Sequence, residues 1–161
     1  MKLAKAFAEV DSSHDRPAET RIVGYMPIGT IEGNGSVAVT AQEIVVPSRE
    51  LIFHAVRFEV SSGGDYPSEV IATVPIEEAH KLLVSLEDLA NAKINTTRFA
   101  LSEVVAIVGD LKVTVFNTAQ GKVLAAVDAG GSTCHLYRQS ELLNLQKLVK
   151  MAVEHLQSNP V

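Results

Sequence analysis

The chain has 161 residues, with 14 Lys and Arg against 19 Asp and Glu and a formal net charge of -5. An apolar fraction of 47% with 20% charged residues excludes a disordered chain as a whole and supports a proper hydrophobic core. The acidic balance argues against a dedicated nucleic-acid binder, although a local basic strip is compatible with an acidic whole.

Residues 1–20 read as a tail or arm. Leu3, Phe7 and Val10 fall on one side of a short amphipathic helix, and Asp11 to Pro17 is a turn-rich linker. Residues 21–161 read as a single α+β domain. Ile22–Tyr25 and Ile28–Ile31 flank Pro27, which marks an edge strand or a bulge. Gly33-Asn34-Gly35 is a hairpin signal, since Asn-Gly supplies the positive φ angles of a type I′ turn. The return strand runs Val37 to Val46, and Pro47 to Glu50 turns the chain again. In the next strand, Leu51 to Val60, alternation sends Ile52, His54, Val56, Phe58 and Val60 toward the core, with Phe53, Ala55 and Arg57 on the other side. Ser61 to Pro67 is a loop and Glu69 to Val74 a fourth strand.

A helix is predicted from Pro75 to about Ala92. Pro75 suits the first helical position, and Glu77 and Glu78 complement the positive end of the helix dipole. Ile76, Ala79, Leu82, Leu83, Leu86, Leu89 and Ala90 make one apolar stripe. The scheme then repeats. Strands are predicted at Phe99–Val108, Leu111–Asn117, Lys122–Asp128 and Thr133–Arg138, with Gly109-Asp110 as a two-residue hairpin connection. A second helix runs from Ser140, a capping residue, to about Gln157. Its stripe is Leu142, Leu145, Leu148, Val149, Ala152 and Leu156. Leu145 and Val149 are expected to face the sheet of their own half, opposite Val113 and Val115.

The result is two strands-then-helix pseudo-repeats, about 21–93 and 97–157, in a (ββββα)2 arrangement of antiparallel sheets. Each half has a sheet face and a helix stripe to bury, and two halves can bury them together. The competing topology is a pleckstrin-like roll with a C-terminal helix; the internal helix from Pro75 to Ala92 argues against it.

Chemical signatures are sparse. Gly29, Gly33 and Gly35 open no helix and precede no Gly-Lys-Ser/Thr, so they read as turn residues rather than a phosphate loop. His54 and His80 could approach across the sheet–helix boundary, but a metal centre needs three or four convergent ligands. Cys134 is the one cysteine, which excludes an internal disulfide, a zinc ribbon and a CxxC pair. Its neighbour His135 points to the opposite face of a regular strand, so Cys134 reads as a buried structural thiol. No G-x-S-x-G elbow is present. No catalytic, cofactor or metal residue is assigned. Lys5 and Glu9 interrupt the apolar positions of the first ten residues, and no stretch has the length of a membrane span. A cytoplasmic protein with no membrane partner is the expectation.

One surface stands out. In Leu111–Asn117 the residues Leu111, Val113 and Val115 point one way, and Lys112, Thr114 and Phe116 the other. Lys122 begins the neighbouring strand and Arg138 ends the last. Lysine beside an aromatic on a sheet is the composition of a platform for single-stranded nucleic acid. Lys112, Phe116, Lys122 and Arg138 are therefore the candidate ligand or nucleic-acid residues.

Four strands and a helix, repeated over residues 21–157, resembles the Whirly-type arrangement. The resemblance lies in element order; the Lys-Gly-Lys-Ala-Ala-Leu motif of the plant proteins is absent from this sequence. It implies two antiparallel sheets whose helices lie to one side, with subunits assembling through those helices, and a relation to single-stranded DNA and RNA binders and to bacterial assembly or regulatory modules. Glu103-Val104 through Phe116 also looks similar to an EV-x-x-x-x-x-x-L-K-x-x-V-F strand pair in small bacterial proteins, which implies no activity. A mean hydropathy of +0.17 suggests apolar surface covered by another subunit. The primary expectation is a non-enzymatic binding or assembly module acting as a homo-oligomer. The alternatives are a single-stranded nucleic-acid binder and a small-molecule enzyme with a cleft site.

Overall fold

Valine- and isoleucine-rich segments separated by glycine, proline and asparagine turns form eight strands, and the two leucine-striped segments form helices. The computed structural model describes residues 19–94 and 97–158. The first half comprises β1 (Ile22–Gly33), β2 (Gly35–Val46), a short 3-10 turn at Pro47–Arg49, β3 (Leu51–Ser62), β4 (Glu69–Pro75) and α1 (Ile76–Asn91). The second comprises β5 (Glu103–Val108), β6 (Leu111–Asn117), β7 (Val123–Asp128), β8 (Thr133–Leu136) and α2 (Glu141–Ser158). The strands make two antiparallel four-stranded sheets in the orders β1-β2-β3-β4 and β5-β6-β7-β8. The fold class is thus α+β with two sheet-then-helix halves, and the pleckstrin-like roll is ruled out by α1 between the two sheets. The expected arm at residues 1–20 lies almost wholly outside the described residues.

Several local expectations change. The strand pairing slips between Pro27 and Gly29, the bulge expected there. The Asn-Gly hairpin is not type I′. Gly33 pairs with Gly35, Asn34 alone forms the tip, and of the tip residues only Gly35 has a positive φ, 106°. Asn34 is instead held from outside: its N–H donates to the His135 carbonyl at 2.7 Å, and the His135 N–H returns at 3.4 Å. A Cβ on Gly33 would stand 2.3 Å from that carbonyl oxygen, so glycine permits the close approach. Pro75 is the N-cap, extended at φ -56° and ψ 150°, because it is still paired with Ala55 as the last rung of β4. Phe99 to Ser102 do not extend β5. The Asn117 side chain accepts from the Ser102 N–H at 2.8 Å and donates to the Ala100 carbonyl at 2.7 Å, replacing ladder bonds that a longer strand would make.

The third strand buries both of its faces in turn. Val56, Phe58 and Val60 enter the main core as expected, whereas Ile52 is 50% exposed and Phe53 is buried. Register is continuous along β2 and β3, so the cause is length. The hairpin outruns the helix layer, and its far end buries Ile44, Val46 and Phe53, with Val23 and Leu51, on the opposite face.

The helices are placed differently from the sequence expectation. α2 lies across β1, β2 and β3 of the first sheet and against α1, with Leu148 seated over Gly29, where a Cβ would come within 2.8 Å of its methyl group. Leu145 and Val149 therefore do not pack as a lid on their own sheet opposite Val113 and Val115. The Asn34–His135 bridge explains this, because the chain leaving β8 emerges beside the first-sheet hairpin. α1 in turn packs on β5 and β6 as well as β3 and β4. Glutamines fix the helix pair. Gln139 Nε2 donates to the Leu89 and Ala92 carbonyls, both at 2.8 Å, and Gln146 Nε2 to the Leu83 carbonyl at 3.0 Å. Gln139 thereby caps the end of α1, sharing the Leu89 carbonyl with the Ala92 N–H at 3.3 Å and adding a donor for the Ala92 carbonyl just past the helix. One continuous apolar core runs through both sheets and both helices, from Val37, Val39 and Phe58 through Leu82 and Leu86 to Leu111, Val113, Leu145 and Val149.

Leu145 is fully buried and Lys147 exposed. Leu145→Ala is expected to cost about 2–5 kcal/mol through lost transfer energy and an unfilled cavity. Lys147→Ala should cost less than about 0.5 kcal/mol. Denaturant midpoints compare the two directly; equal midpoints would show that α2 does not bury this face.

Candidate functional site

The second sheet separates its residues cleanly. Inward, Leu111, Val113, Val115, Ala125, Val127, Cys134 and Leu136 are buried. Outward, the rungs run Glu103–Phe116–Leu124, Val105–Thr114–Ala126–His135 and Ile107–Lys112–Asp128–Thr133. Lys112 and Phe116 thus stand on the outer face as expected. Phe116 is half-buried and meets the His135 ring edge to face, with centroids 6.4 Å apart and planes at 87°. That contact occupies the aromatic instead of leaving it open for a base to stack on.

The four candidate residues are not gathered into one strip. Lys112 is directly opposite Asp128, whose carboxylate accepts from the Thr133 hydroxyl at 2.8 Å. Lys122 lies at the other end of the same ladder, just past the rung Asn117–Val123, about 20 Å away at ~3.4 Å per residue. Its backbone closes the turn into β7, accepting from Thr118 N–H at 2.8 Å. Arg138 falls beyond β8, in the connection to α2, where its carbonyl accepts from Glu141 N–H at 3.1 Å. Sequence reasoning extended β8 too far and so placed Arg138 on the sheet.

What the outer face does present is apolar. Ile107 is 71% exposed and Val105 39%, both on the edge strand β5. Phe99 and Leu101 are exposed just ahead of it. Leu101, Ser102, Glu103, Phe116 and Asn117 line a shallow depression there. Alternation in Glu103–Val108 contained this signal. The predicted strand Phe99–Val108 is assigned no outward face, so its exposed row goes unnoticed.

A second feature lies on the first sheet, where the core-facing row passes the end of α2. Gly24, Glu43 and His54 are cross-strand neighbours, and His54 Nε2 lies 2.9 Å from Glu43 Oε1. With His155 and Leu156 of α2 they border a cleft of about 260 Å³. A carboxylate holding an imidazole can orient it for proton transfer. Among the described residues, no third acid, base or nucleophile joins the pair at hydrogen-bond distance. His80 does not join His54; it meets Gln157 at 3.3 Å. Among the described residues, no group of three His, Cys, Asp or Glu could hold a metal ion.

Comparison of the chain with protein-family models, with curated proteins and with solved structures gives no match. No helix among the described residues is long and apolar enough to cross a membrane.

Within β8, Cys134 faces the core while His135 is exposed on the other side, the separation expected from strand alternation. Burial pushes its thiol up from 9.0 to about 11, with Glu32 and Glu141 adding to the shift. The neutral thiol therefore contributes its full stability below pH 9, and this is lost as pH rises toward 11. Cys134 in the native protein should resist alkylation at pH 8 and react when the chain is unfolded. Equal alkylation rates in the two states would contradict this placement.

Proposed function

We propose that this chain is a non-enzymatic assembly module that functions as a homo-oligomer, with the outer surface of the second sheet as its contact surface. The observation that carries the reading is the exposed apolar row Val105–Ile107 on an edge strand, continued by Phe99 and Leu101. Apolar side chains on a strand edge are favourable to cover, and an uncovered edge of this kind invites pairing. The Whirly-like element order is shared with assembly modules as well as nucleic-acid binders, but it implies contact through the helices, whose stripes are here spent on the internal core. The resemblance therefore supports assembly without indicating this surface, and it carries no activity by itself.

Single-stranded nucleic acid is the second reading. It rests on Lys112 and Phe116 sharing the outer face, although the Phe116 ring is already engaged by His135. The distance of Lys122 from Lys112, the Asp128 beside Lys112, and the net charge of -5 weigh against it. The small-molecule enzyme reading rests on the Glu43–His54 pair alone and ranks below both. A cytoplasmic location belongs to the same proposal.

Sedimentation at micromolar concentration should show a species larger than the 17.3 kDa chain. Ile107→Asp should weaken it roughly tenfold or more, the cost of losing one buried isoleucine, without lowering thermal stability at dilution. Mixed-sequence single strands should not bind at physiological salt. A protein that stays at 17.3 kDa throughout would contradict assembly, and tight, salt-sensitive binding of single strands would favour the second reading.

A further inference from the structure

The four sheet edges differ in how they are protected. β1 carries Pro27 and a bulge. β4 is approached from the second half: Ser132 Oγ donates to the carbonyl of Ser68, just before the strand, at 2.9 Å, and the Gly109 turn stands so near that an added Cβ would lie 3.8 Å from the Thr73 carbonyl oxygen. β8 has four residues, and its His135 is bridged to Asn34 of the first-sheet hairpin. β5, Glu-Val-Val-Ala-Ile-Val, carries its single charge, Glu103, at its first residue and has no proline, lysine or bulge. These are the devices that normally keep an edge from pairing.

We infer that β5 pairs antiparallel with β5 of a second copy about a two-fold axis at Val105, joining two second sheets into one eight-stranded sheet. The inference rests on the assembly reading above and adds its geometry.

The register follows from the hairpin. β5 and β6 are joined by Gly109-Asp110, with Val108 opposite Leu111 and only Gly109 at positive φ, 58°. In a two-residue hairpin the closing pair exchanges both backbone bonds, and bonded pairs then alternate. Val108, Ala106 and Val104 therefore spend their N–H and C=O groups on β6. The Asn117 N–H donating to the Ser102 carbonyl at 3.4 Å keeps the same parity. Glu103, Val105 and Ile107 are left with both groups pointing outward. Centring the axis on Val105 pairs all three: Val105 with the partner's Val105, Glu103 with the partner's Ile107, and Ile107 with the partner's Glu103. Shifting the axis by one residue either way leaves only two such pairs.

Charge favours the same arrangement. On the outer face Lys112 is next to Ile107, so the partner's Glu103 comes within two strand spacings of Lys112, about 10 Å between backbones. Extended lysine and glutamate side chains can meet across the isoleucine at that separation. This happens twice by symmetry, as an isologous contact requires. A parallel alignment would instead set Glu103 against the partner's Glu103.

The test combines sedimentation with cross-linking. Opposed residues of a bonded antiparallel pair have Cα atoms about 5.5 Å apart, within disulfide range. Val105→Cys should form a disulfide-linked dimer on mild oxidation. Glu103→Cys should not, since two such positions would be roughly 14 Å apart along the strand. A mixture of Glu103→Cys and Ile107→Cys chains should cross-link. Val105→Pro removes an outward N–H while keeping the bonds to β6, and should weaken association at least tenfold with the fold retained. An oligomer in which Val105→Cys fails to cross-link, or which Val105→Pro leaves intact, overturns the β5 pairing and leaves the assembly reading standing. A protein monomeric throughout overturns both.

Discussion

Everything in this fold depends on where the two helices can hide their apolar stripes. A four-stranded sheet with one apolar face is not covered by itself, and each half of the chain supplies one such sheet and one helix. The helices are shared between the halves. α2 lies on the first sheet, and α1 contacts strands of both. Neither half can therefore complete its own layer, and the core runs through both without a break. The Asn34–His135 bridge is the point where this exchange is arranged, because it delivers the chain from β8 to the edge of the first sheet.

Element order, helix stripes and the inward face of β6 were legible from local rules: leucine spacing, valine alternation and turn residues. Lys112 and Phe116 were correctly placed on the outer face for the same reason. Long-range geometry was not legible. Nothing near Leu145 or Val149 indicates which sheet they meet, since either sheet presents valines. At the hairpin tip, Asn34 follows the demands of a partner strand 101 positions away in sequence and not the intrinsic preference of Asn-Gly. Arg138 and Phe99 were misplaced through strand boundaries, where a single side chain such as Asn117 can end a ladder. The Glu43–His54 pair could have been anticipated by pairing β2 with β3, once the register of that hairpin was known.

The exchange of helices also accounts for the asymmetry between the sheets. The first sheet has its long hairpin extended past the helix layer and closes that end with a small second cluster. The second sheet is shorter, its outer face has no covering element from this chain among the described residues, and its edge β5 is apolar and unblunted. Phe116 and Leu124 are partly screened by neighbours on the face, whereas Ile107 is open to solvent. A further strand beside β5 would cover what the fold leaves exposed while satisfying backbone groups that face outward. This is why the edge, rather than the basic residues, carries the functional reading.

The most direct measurement is amide hydrogen exchange along β5 as a function of protein concentration. Val104, Ala106 and Val108 bond to β6 and should be protected at every concentration, giving an internal standard. Glu103, Val105 and Ile107 should exchange rapidly in dilute protein and become protected together as concentration rises. If those three amides exchange rapidly at all concentrations while their neighbours stay protected, β5 is a free edge, and the account of this surface as the place where two copies join is contradicted.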